Sequence, residues 1–479
     1  MRKILLCLVC CLLALGAARA NAATEVKMAG DARVYGMFFE NRNWTSWNAT
    51  GTKTEDTFEI WERFRLRADF VASEAVKFRL ATMVGDQTWG TGTFTAANPE
   101  VSITVWEAYL QFKVPDTDIQ VTAGLQPISL PHAAIFYDSP ILASKNNNKT
   151  FAALTIKAPL IKDTLSANLG FSRLIDANRT YDTTTTQVTD ELDAYFLTLP
   201  ITLEGFKATP WALASVVGKT SLTVDSIKYG LVSGGYFLSP SGYNQTQSGY
   251  WWGGSMFEVN ALDPVVLYGD VIYGEGGMND RQRNQRRGWF IDGGVKYTGL
   301  SFMTPMVGGW WSSGEDSSIR NGSERIPTIA NYWGMGGSFL YQSGQEFTND
   351  TMLANPIGSW GLSASLDNVS FIDKLSHVVT FAAAWGTNSA AGLRKAVTAS
   401  GGNGKYLTMG KDLAIGEYLL GVNIDSKYWI YDKSLALVME TGWAHYGNPK
   451  GSVWNTTSRD FTGNVQDAWK VALGLKYWY

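Results

Sequence analysis

Residues 58–70 read FEIWERFRLRADF, and this stretch alternates between two kinds of side chain. Every second residue from Phe58 to Phe70 is apolar, with Glu62 as the one exception, and most of the residues between them are charged. Successive side chains of a β-strand point to opposite faces, so the pattern predicts a strand with one apolar and one charged face.

The same alternation recurs along most of the chain. Further clear segments are residues 106–114, 119–126, 165–172 and 418–425. The pattern predicts eighteen strands, which begin near residues 26, 58, 76, 101, 119, 151, 164, 191, 207, 250, 265, 289, 300, 357, 375, 415, 434 and 466. Residues 326–345 fit no single pattern, so a count of about sixteen strands is the alternative.

The composition narrows the class of protein. Of the 479 residues only 17% are charged and 13% are aromatic, the mean hydropathy is −0.09, and the formal net charge is −3. This hydropathy argues against a disordered chain, and the lack of long apolar runs beyond the N-terminus argues against membrane-spanning helices. The slightly acidic charge argues against a nucleic-acid partner.

The N-terminal residues have the order of a secretory leader. Arg2 and Lys3 precede the apolar stretch 4–15, and small residues follow it. This order predicts a signal peptide over residues 1–22 and therefore export. Its removal would leave residues 23–479 as a single barrel domain without cysteine, because all three cysteines lie within the leader.

The connections between the predicted strands alternate in length. Short ones, such as 72–75 and 115–118, alternate with long polar ones, such as 127–150 and 312–357. Short turns at one end and long loops at the other are typical of outer-membrane barrels, in which closure of the sheet leaves no backbone edge unpaired in lipid. We therefore predict an all-β fold, a transmembrane antiparallel β-barrel of about 16–18 strands with short periplasmic turns and long outer loops.

Pairs of aromatic residues near strand ends fit the same fold. They are Trp251–Trp252, Trp310–Trp311, Tyr428–Trp429 and Trp478–Tyr479. Outer-membrane barrels carry girdles of aromatic residues at both membrane interfaces, and we assign these pairs to the girdles.

The last nine residues read VALGLKYWY. Apolar or aromatic residues occupy every second position, namely Val471, Leu473, Leu475, Tyr477 and Tyr479. This ending resembles the C-terminal assembly signal of outer-membrane porins, with Tyr where Phe is more usual. The resemblance implies that the barrel assembly machinery reads this strand.

The start of the predicted mature chain, Ala23–Trp44, and the richness in Trp and Gly resemble the homotrimeric porins of sulfate-reducing delta-proteobacteria. The resemblance covers essentially the whole mature chain. It implies a homotrimer in the outer membrane of a Gram-negative bacterium, with water-filled channels for small hydrophilic solutes.

A group of cations is predicted to line the lumen of the barrel. Arg63, Arg65 and Arg67 share one face of a strand, and Lys77 and Arg79 share a face of the next one. The opposite register would place each arginine in lipid, at a cost of about 2–4 kcal/mol near the bilayer midplane. We therefore expect these side chains to face the lumen and to give a weak preference for anions.

Two acidic residues, Glu107 and Asp138, complete the candidate constriction. In general porins, which the basic face resembles, an inward-folded third loop presents acids opposite a charged wall. If loop 127–150 folds inward in the same way, Asp138 is the expected opposing acid, whereas an outward loop would remove the constriction. The alternative is that Glu59, Asp69 and Glu107 neutralise the arginines, which then only brace the wall.

The sequence predicts no catalytic, cofactor or metal site. It has three histidines, no metal-binding spacing of His or Cys, and no glycine-rich phosphate loop. Ser129 and His132 are three residues apart, which by itself fixes no catalytic geometry. The basic run 281–287 is assigned to a solvated outer loop, with contact to lipopolysaccharide phosphates as the alternative.

The sequence therefore predicts an outer-membrane porin for passive diffusion of small hydrophilic solutes and ions. Its expected partners are outer-membrane lipid and lipopolysaccharide, further copies of the same chain and the assembly machinery. A substrate-specific channel for sugars or anions is the first alternative. An outer-membrane enzyme or adhesin without an open pore is the second.

Overall fold

The fold was obtained as a computed structural model. It describes residues 25–45, 57–91, 94–97, 100–143, 150–176, 191–218, 221, 227, 230–231, 248–277, 285–335, 338–341, 346–347, 351–404, 406–455 and 465–479. The predicted signal peptide, most of the basic run 281–287 and residues 144–149 lie outside these ranges.

The alternating stretches of sequence form long antiparallel strands. The first ten segments are β1 (Glu25–Glu40), β2 (Thr57–Ser73), β3 (Val76–Thr88), β4 (Ile103–Lys113), β5 (Gln120–Gln126), β6 (Phe151–Ile161), β7 (Leu165–Asp176), β8 (Glu191–Thr198), β9 (Ile201–Leu203) and β10 (Phe206–Val217). The remainder are β11 (Ser248–Leu262), β12 (Val265–Gly276), β13 (Arg286–Tyr297), β14 (Thr304–Ser312), β15 (Ser359–Ile372), β16 (Leu375–Gly386), β17 (Tyr418–Tyr431), β18 (Leu435–Gly447) and β19 (Ala468–Trp478). Two helices, α1 (Ala390–Ala399) and α2 (Gly451–Trp454), lie in the connections.

The strands close into one barrel. Each strand pairs with its neighbour along the chain, and β1 pairs with both β2 and β19. β8 and β9 both pair with β7 and with β10, so they are two pieces of one interrupted strand. The barrel therefore has eighteen strand positions, which confirms the predicted fold class and the higher of the two predicted counts.

The two faces of the wall differ in polarity as the alternation predicts. On β2, the outward side chains of Phe58, Phe64 and Leu66 are exposed, whereas Arg63 on the inward face is buried. The outward face of the barrel is apolar over most strands. A closed sheet with such a belt can meet lipid without an unpaired backbone group.

The two ends of the barrel differ in the length of their connections. Turns such as 74–75 and 263–264 join strands at one end, which we call the short-turn end. At the other end, the long-loop end, the connections include 127–150, 313–358 and 387–417. None of the helices in the described part of the chain has the length and apolarity that a bilayer crossing requires.

Much of the lumen near the long-loop end is filled by the connections themselves. A large cluster of buried apolar side chains joins the inner wall to residues from several loops, including Leu130, Trp333 and Leu407. The region 326–345, which the sequence left ambiguous, is not a barrel strand where it is described, and most of its described residues are buried. The open lumen is consequently narrower than an eighteen-strand barrel would otherwise enclose.

Candidate functional site

Six cations lie on the inward face of three neighbouring strands. The predicted residues Arg63, Arg65, Arg67, Lys77 and Arg79 are joined by Arg33 of β1. Arg33 is directly opposite Arg63 in the β1–β2 pairing. We call these six residues the basic wall.

Two acids pair with the cations of the basic wall that lie nearer the long-loop end. Asp31 of β1 accepts a hydrogen bond from Arg63 at 3.1 Å and also contacts Arg65. Asp86 of β3 pairs with Arg33 and lies 3.9 Å from Arg63. The carboxylates separate cations that neighbouring strands would otherwise hold side by side, and so allow them to share one face.

Glu107 and Asp69 pair with the cations of the basic wall that lie nearer the short-turn end. Glu107 lies 3.4 Å from Arg67 and 3.5 Å from Arg79, and it is almost fully buried. Asp69 accepts two hydrogen bonds of 2.6 Å from Arg79. Glu107 therefore balances the charge of Arg67 and Arg79 from beneath them, and its own carboxylate is not exposed to the lumen.

The six cations of the basic wall are associated with four carboxylates, Asp31, Asp69, Asp86 and Glu107, and they differ in how far they are exposed. The exposed fraction of the side chain is 6% for Arg63, 24% for Arg65 and 40% for Arg67. Trp106 lies under the guanidinium groups of Arg65 and Arg67, with 5.9 and 5.6 Å from each to the ring centroid. Arg65 and Arg67 are thus the arginines of β2 that a solute in the lumen can reach.

The described part of loop 127–150 lies inside the barrel and reaches the far wall. The backbone N–H of Ala133 donates to Asp270 on β12 at 2.5 Å. The side chain of Ile135 lies against Gly294 and Gly308, where no Cβ stands in its way. Because β5 and β12–β14 lie on opposite sides of the barrel, the loop crosses the lumen.

A second segment, 326–341, packs against this loop inside the barrel. The N–H of Tyr137 donates to the carbonyl of Gly334 at 2.8 Å, and the N–H of Ala143 donates to the carbonyl of Ala330 at 3.1 Å. We call 127–143 and the described residues of 326–341 the inward loops. The second inward loop was not predicted from the sequence. Its apolar residues without strand alternation, such as Ile326, could have indicated a buried loop.

Asp138 does not face the open lumen. It is fully buried, it accepts a hydrogen bond from the Ser129 hydroxyl, and it accepts a second one from the N–H of Ser139 at 2.9 Å. His132 lies 3.9 Å from the same carboxylate. A buried carboxylate needs such donors, so Asp138 stabilises the loop from within, and the acids that pair with the basic wall come from β1 to β4 instead.

Acidic and basic side chains also line the lumen on the strands that continue the wall beyond β1. The carboxylate of Glu346 accepts hydrogen bonds from the ammonium groups of Lys427, at 2.7 Å, and Lys476. A cavity of about 380 Å³ lies between residues 134–137 of the first inward loop and the wall formed by β12 to β18. Lys296 and Asp367 line this cavity, so its surface carries both signs of charge.

One group of carboxylates among the described residues is close enough to share a cation. Oxygen atoms of Glu315, Asp316 and Glu324 lie within 4.8 Å of one another in the connection 313–358. The Asn321 amide donates to both Asp316 and Glu324, and Ser323 donates to Glu315. Burial raises the pKa of Glu315 to about 7. The hydrogen bonds within the cluster therefore stabilise the conformation of this outer loop.

Four of the predicted assembly residues lie on β19, which closes the barrel against β1, and Tyr479 follows it directly. All five point outward and are exposed, namely Val471, Leu473, Leu475, Tyr477 and Tyr479. The backbone of Tyr479 pairs with Gly30, and its hydroxyl donates to the carbonyl of Arg65 at 2.8 Å. The last residue is therefore joined to both β1 and β2.

Comparison with solved structures identifies the architecture. OccK11 (OpdR) of Pseudomonas aeruginosa superimposes with a TM-score of 0.52 at 11% identity, over 96% of this chain and 98% of the other. A BenF-like porin of Pseudomonas fluorescens Pf-5 gives 0.52 at 10% identity, over 95% and 99%. The fold is that of the outer-membrane porins.

A third porin-fold structure, OccK2 (OpdF) of P. aeruginosa in complex with glucuronate, gives a TM-score of 0.50 at 12% identity, over 95% of this chain and 98% of the other. Comparison with protein-family models and with curated proteins gave no match. At such low identity the likeness to the solved structures establishes the porin fold and assigns no role to individual residues of this chain.

Proposed function

We propose that this porin-fold protein is a channel of the outer membrane of a Gram-negative bacterium, through which small hydrophilic solutes and ions diffuse. The observation that carries the proposal is the accessible basic wall on the inward face of a barrel whose outward face is apolar. The inward loops leave Arg65 and Arg67 partly exposed, so a charged and wettable surface lines the remaining lumen. We assign the short-turn end to the periplasm and the long-loop end to the outside.

A substrate-specific channel for anions is the second candidate. It is favoured by the partly exposed guanidinium groups of Arg65 and Arg67 and by Trp106 beneath them. The porin-fold protein OccK2 (OpdF) has been solved with glucuronate, a sugar acid. Block of the conductance by such a solute at low concentration would favour the specific channel, whereas unblocked ion flow would favour general diffusion.

Replacing Arg65 and Arg67 by glutamine should reduce the preference for anions. Each unit charge about 8 Å from a permeating ion contributes roughly 0.5 kcal/mol in water. Loss of two charges removes about 1 kcal/mol of attraction for an anion and about 1 kcal/mol of repulsion for a cation, so the anion-to-cation permeability ratio should fall about thirtyfold in dilute salt. The measurement is the reversal potential of a planar bilayer across a salt gradient.

Arg320→Gln is a matched control, because Arg320 is exposed on an outer connection. In about 1 M salt the Debye length falls to about 3 Å, and the wild-type and double-variant ratios should converge. An unchanged reversal potential in the double variant would contradict a solute-facing role for these arginines.

We also propose that the chain assembles as a homotrimer and that residues 1–22 are removed on export. The trimer rests on the resemblance to homotrimeric porins, and it would show as three equal closing steps in single-channel records. Contact with lipopolysaccharide and recognition by the assembly machinery belong to the same proposal.

Replacing Tyr479 by alanine should reduce the amount of folded protein in the outer membrane severalfold. The proposed reason is that the assembly machinery recognises the outward aromatic residue at the chain end. Heat-modified mobility of the membrane fraction measures the folded amount. Tyr431→Ala is the control, since Tyr431 is also exposed at the short-turn end of the barrel but is not at the end of the chain. Equal folded amounts of wild type and Tyr479→Ala would contradict the assembly role.

A further inference from the structure

A second cavity, of about 240 Å³, lies among the connections at the long-loop end. It is separate from the basic wall and from the cavity beneath the inward loops. Its charged lining residues are Arg286, Arg325, Lys411 and Asp412. Three cations and one carboxylate leave the lining with a surplus of positive charge.

The one carboxylate is already engaged by other donors. Asp412 accepts hydrogen bonds from Arg325 at 2.8 Å, from the Asn355 amide at 2.9 Å and from the N–H of Thr408 at 3.0 Å. A carboxylate has about four acceptor positions, so Asp412 is close to saturated by neighbours other than Lys411.

Among the described residues, the ammonium group of Lys411 has no direct ion pair, because Asp412 acts on it only at longer range and Arg42 opposes its charge. Within the described part of the chain, Lys411 makes no ion pair within 4 Å and no side-chain hydrogen bond, although it is half-buried. Burial lowers the pKa of this ammonium. An ammonium removed from water in this way is stabilised when an anion supplies the missing hydrogen bonds.

The surrounding backbone holds Lys411 in place. Its N–H donates to the carbonyl of Thr408 at 3.1 Å, and its own carbonyl accepts from the N–H of Asn355 at 2.9 Å. Arg325 also has a buried Nε–H without a hydrogen-bond partner. The cations are thus set in position before any ligand arrives, which lowers the entropy cost of binding.

We propose that this outer cavity is a binding site for a small oxyanion, a carboxylate or a phosphate, that reaches the protein from the outside medium. The volume fits a small anion, since drug-sized ligands occupy cavities of about 300–1,000 Å³. Lys411 supplies an ammonium donor and Arg325 a guanidinium, the groups that bind such anions through charge-assisted hydrogen bonds. The site would capture the anion at the long-loop end of the barrel, which is a function additional to diffusion through the lumen.

Isothermal titration of the detergent-solubilised full chain with inorganic phosphate and with acetate tests the proposal. Wild type should bind at least one of the two anions, and Lys411→Met should weaken that binding about tenfold or more. Lys411→Arg, which keeps the charge, should retain most of it. Lys395→Met is the matched control, because Lys395 lies on the same connection but is exposed on α1 and outside the cavity.

A further variant distinguishes this cavity from the basic wall. Lys411→Met should weaken the binding by the same factor in the wild-type and in the Arg67→Gln background, whereas loss of binding in Arg67→Gln with full retention in Lys411→Met would place the anion at the basic wall and overturn the proposal. Failure of wild type to bind either anion would also overturn it. Circular dichroism and heat-modified mobility establish that each variant is folded. Because the titration needs no conductance, a negative result leaves the proposed channel function untouched.

Discussion

Replacing Trp333 by alanine should raise the single-channel conductance and destabilise the packing of the inward loops. Trp333 is almost fully buried at the centre of an aromatic cluster within the lumen. Its ring centroid lies 5.0 Å from that of Phe136 on the first inward loop and 5.2 Å from that of Trp310 on the wall. Its indole N–H donates to Asp292 of β13 at 2.7 Å. One side chain therefore joins both inward loops to the barrel.

The expected loss is about 3–5 kcal/mol of stability, the range for truncating a buried Trp to Ala. With the contact to Phe136 gone, the inward loops should move more freely and the mean conductance should increase. Bilayer recordings and denaturant unfolding in detergent measure the two effects. Trp333→Phe keeps an apolar ring, so its free energy of unfolding should fall much less than that of Trp333→Ala.

Trp311→Ala is the matched control, because Trp311 is on the outward face of the same strand as Trp310. It should leave the conductance unchanged. Wild-type conductance in a folded Trp333→Ala variant would show that the inward loops do not limit the channel.

Replacing Lys470 by methionine should destabilise the barrel by about 3–5 kcal/mol. The Lys470 ammonium lies 3.4 Å from Glu440, and both side chains are fully buried between β18 and β19. Glu440 also accepts a hydrogen bond of 2.8 Å from the N–H of Phe347. Without this ammonium the carboxylate stays desolvated beside one backbone donor, which costs more than the pair itself contributes.

Denaturant unfolding of single and double variants measures this effect. Lys470→Met combined with Glu440→Gln should recover most of the loss, because the second change removes the uncompensated charge. Lys207→Met is the control, since the Lys207–Glu258 pair has a distance of 2.9 Å but an exposed lysine. Exposed pairs contribute about 0–1 kcal/mol. Equal losses in the two lysine variants would contradict the assigned importance of burial.

The alternation of residue types determined the strands and their faces with little help from tertiary contacts. Residues 58–70 form the central part of β2, and the predicted lumen side of this strand is its inward face. The physical reason is local, since each strand residue reverses the direction of its side chain. The cost of an arginine in lipid then fixes which face is outward.

The aromatic pairs show where local reasoning had to be corrected. Trp251 and Trp311 are exposed on the outward face, but their neighbours Trp252 and Trp310 are buried inside. Adjacent residues of a strand cannot share a face, so at most one member of each of these pairs can belong to a lipid-facing girdle. The inner members instead pack against the loops that fill the lumen.

The sequence by itself determined the closed barrel, the apolar outer belt and the inward position of Arg63, Arg65 and Arg67, because period two and the cost of charge in lipid act residue by residue. Only the tertiary structure decided that Asp138 is buried within its loop, that Trp333 joins the inward loops to the wall, and that Lys411 lines a cavity without a direct ion pair. These features depend on the paths of long connections. No periodic pattern governs such paths, and the contacts that fix them join residues far apart in the chain.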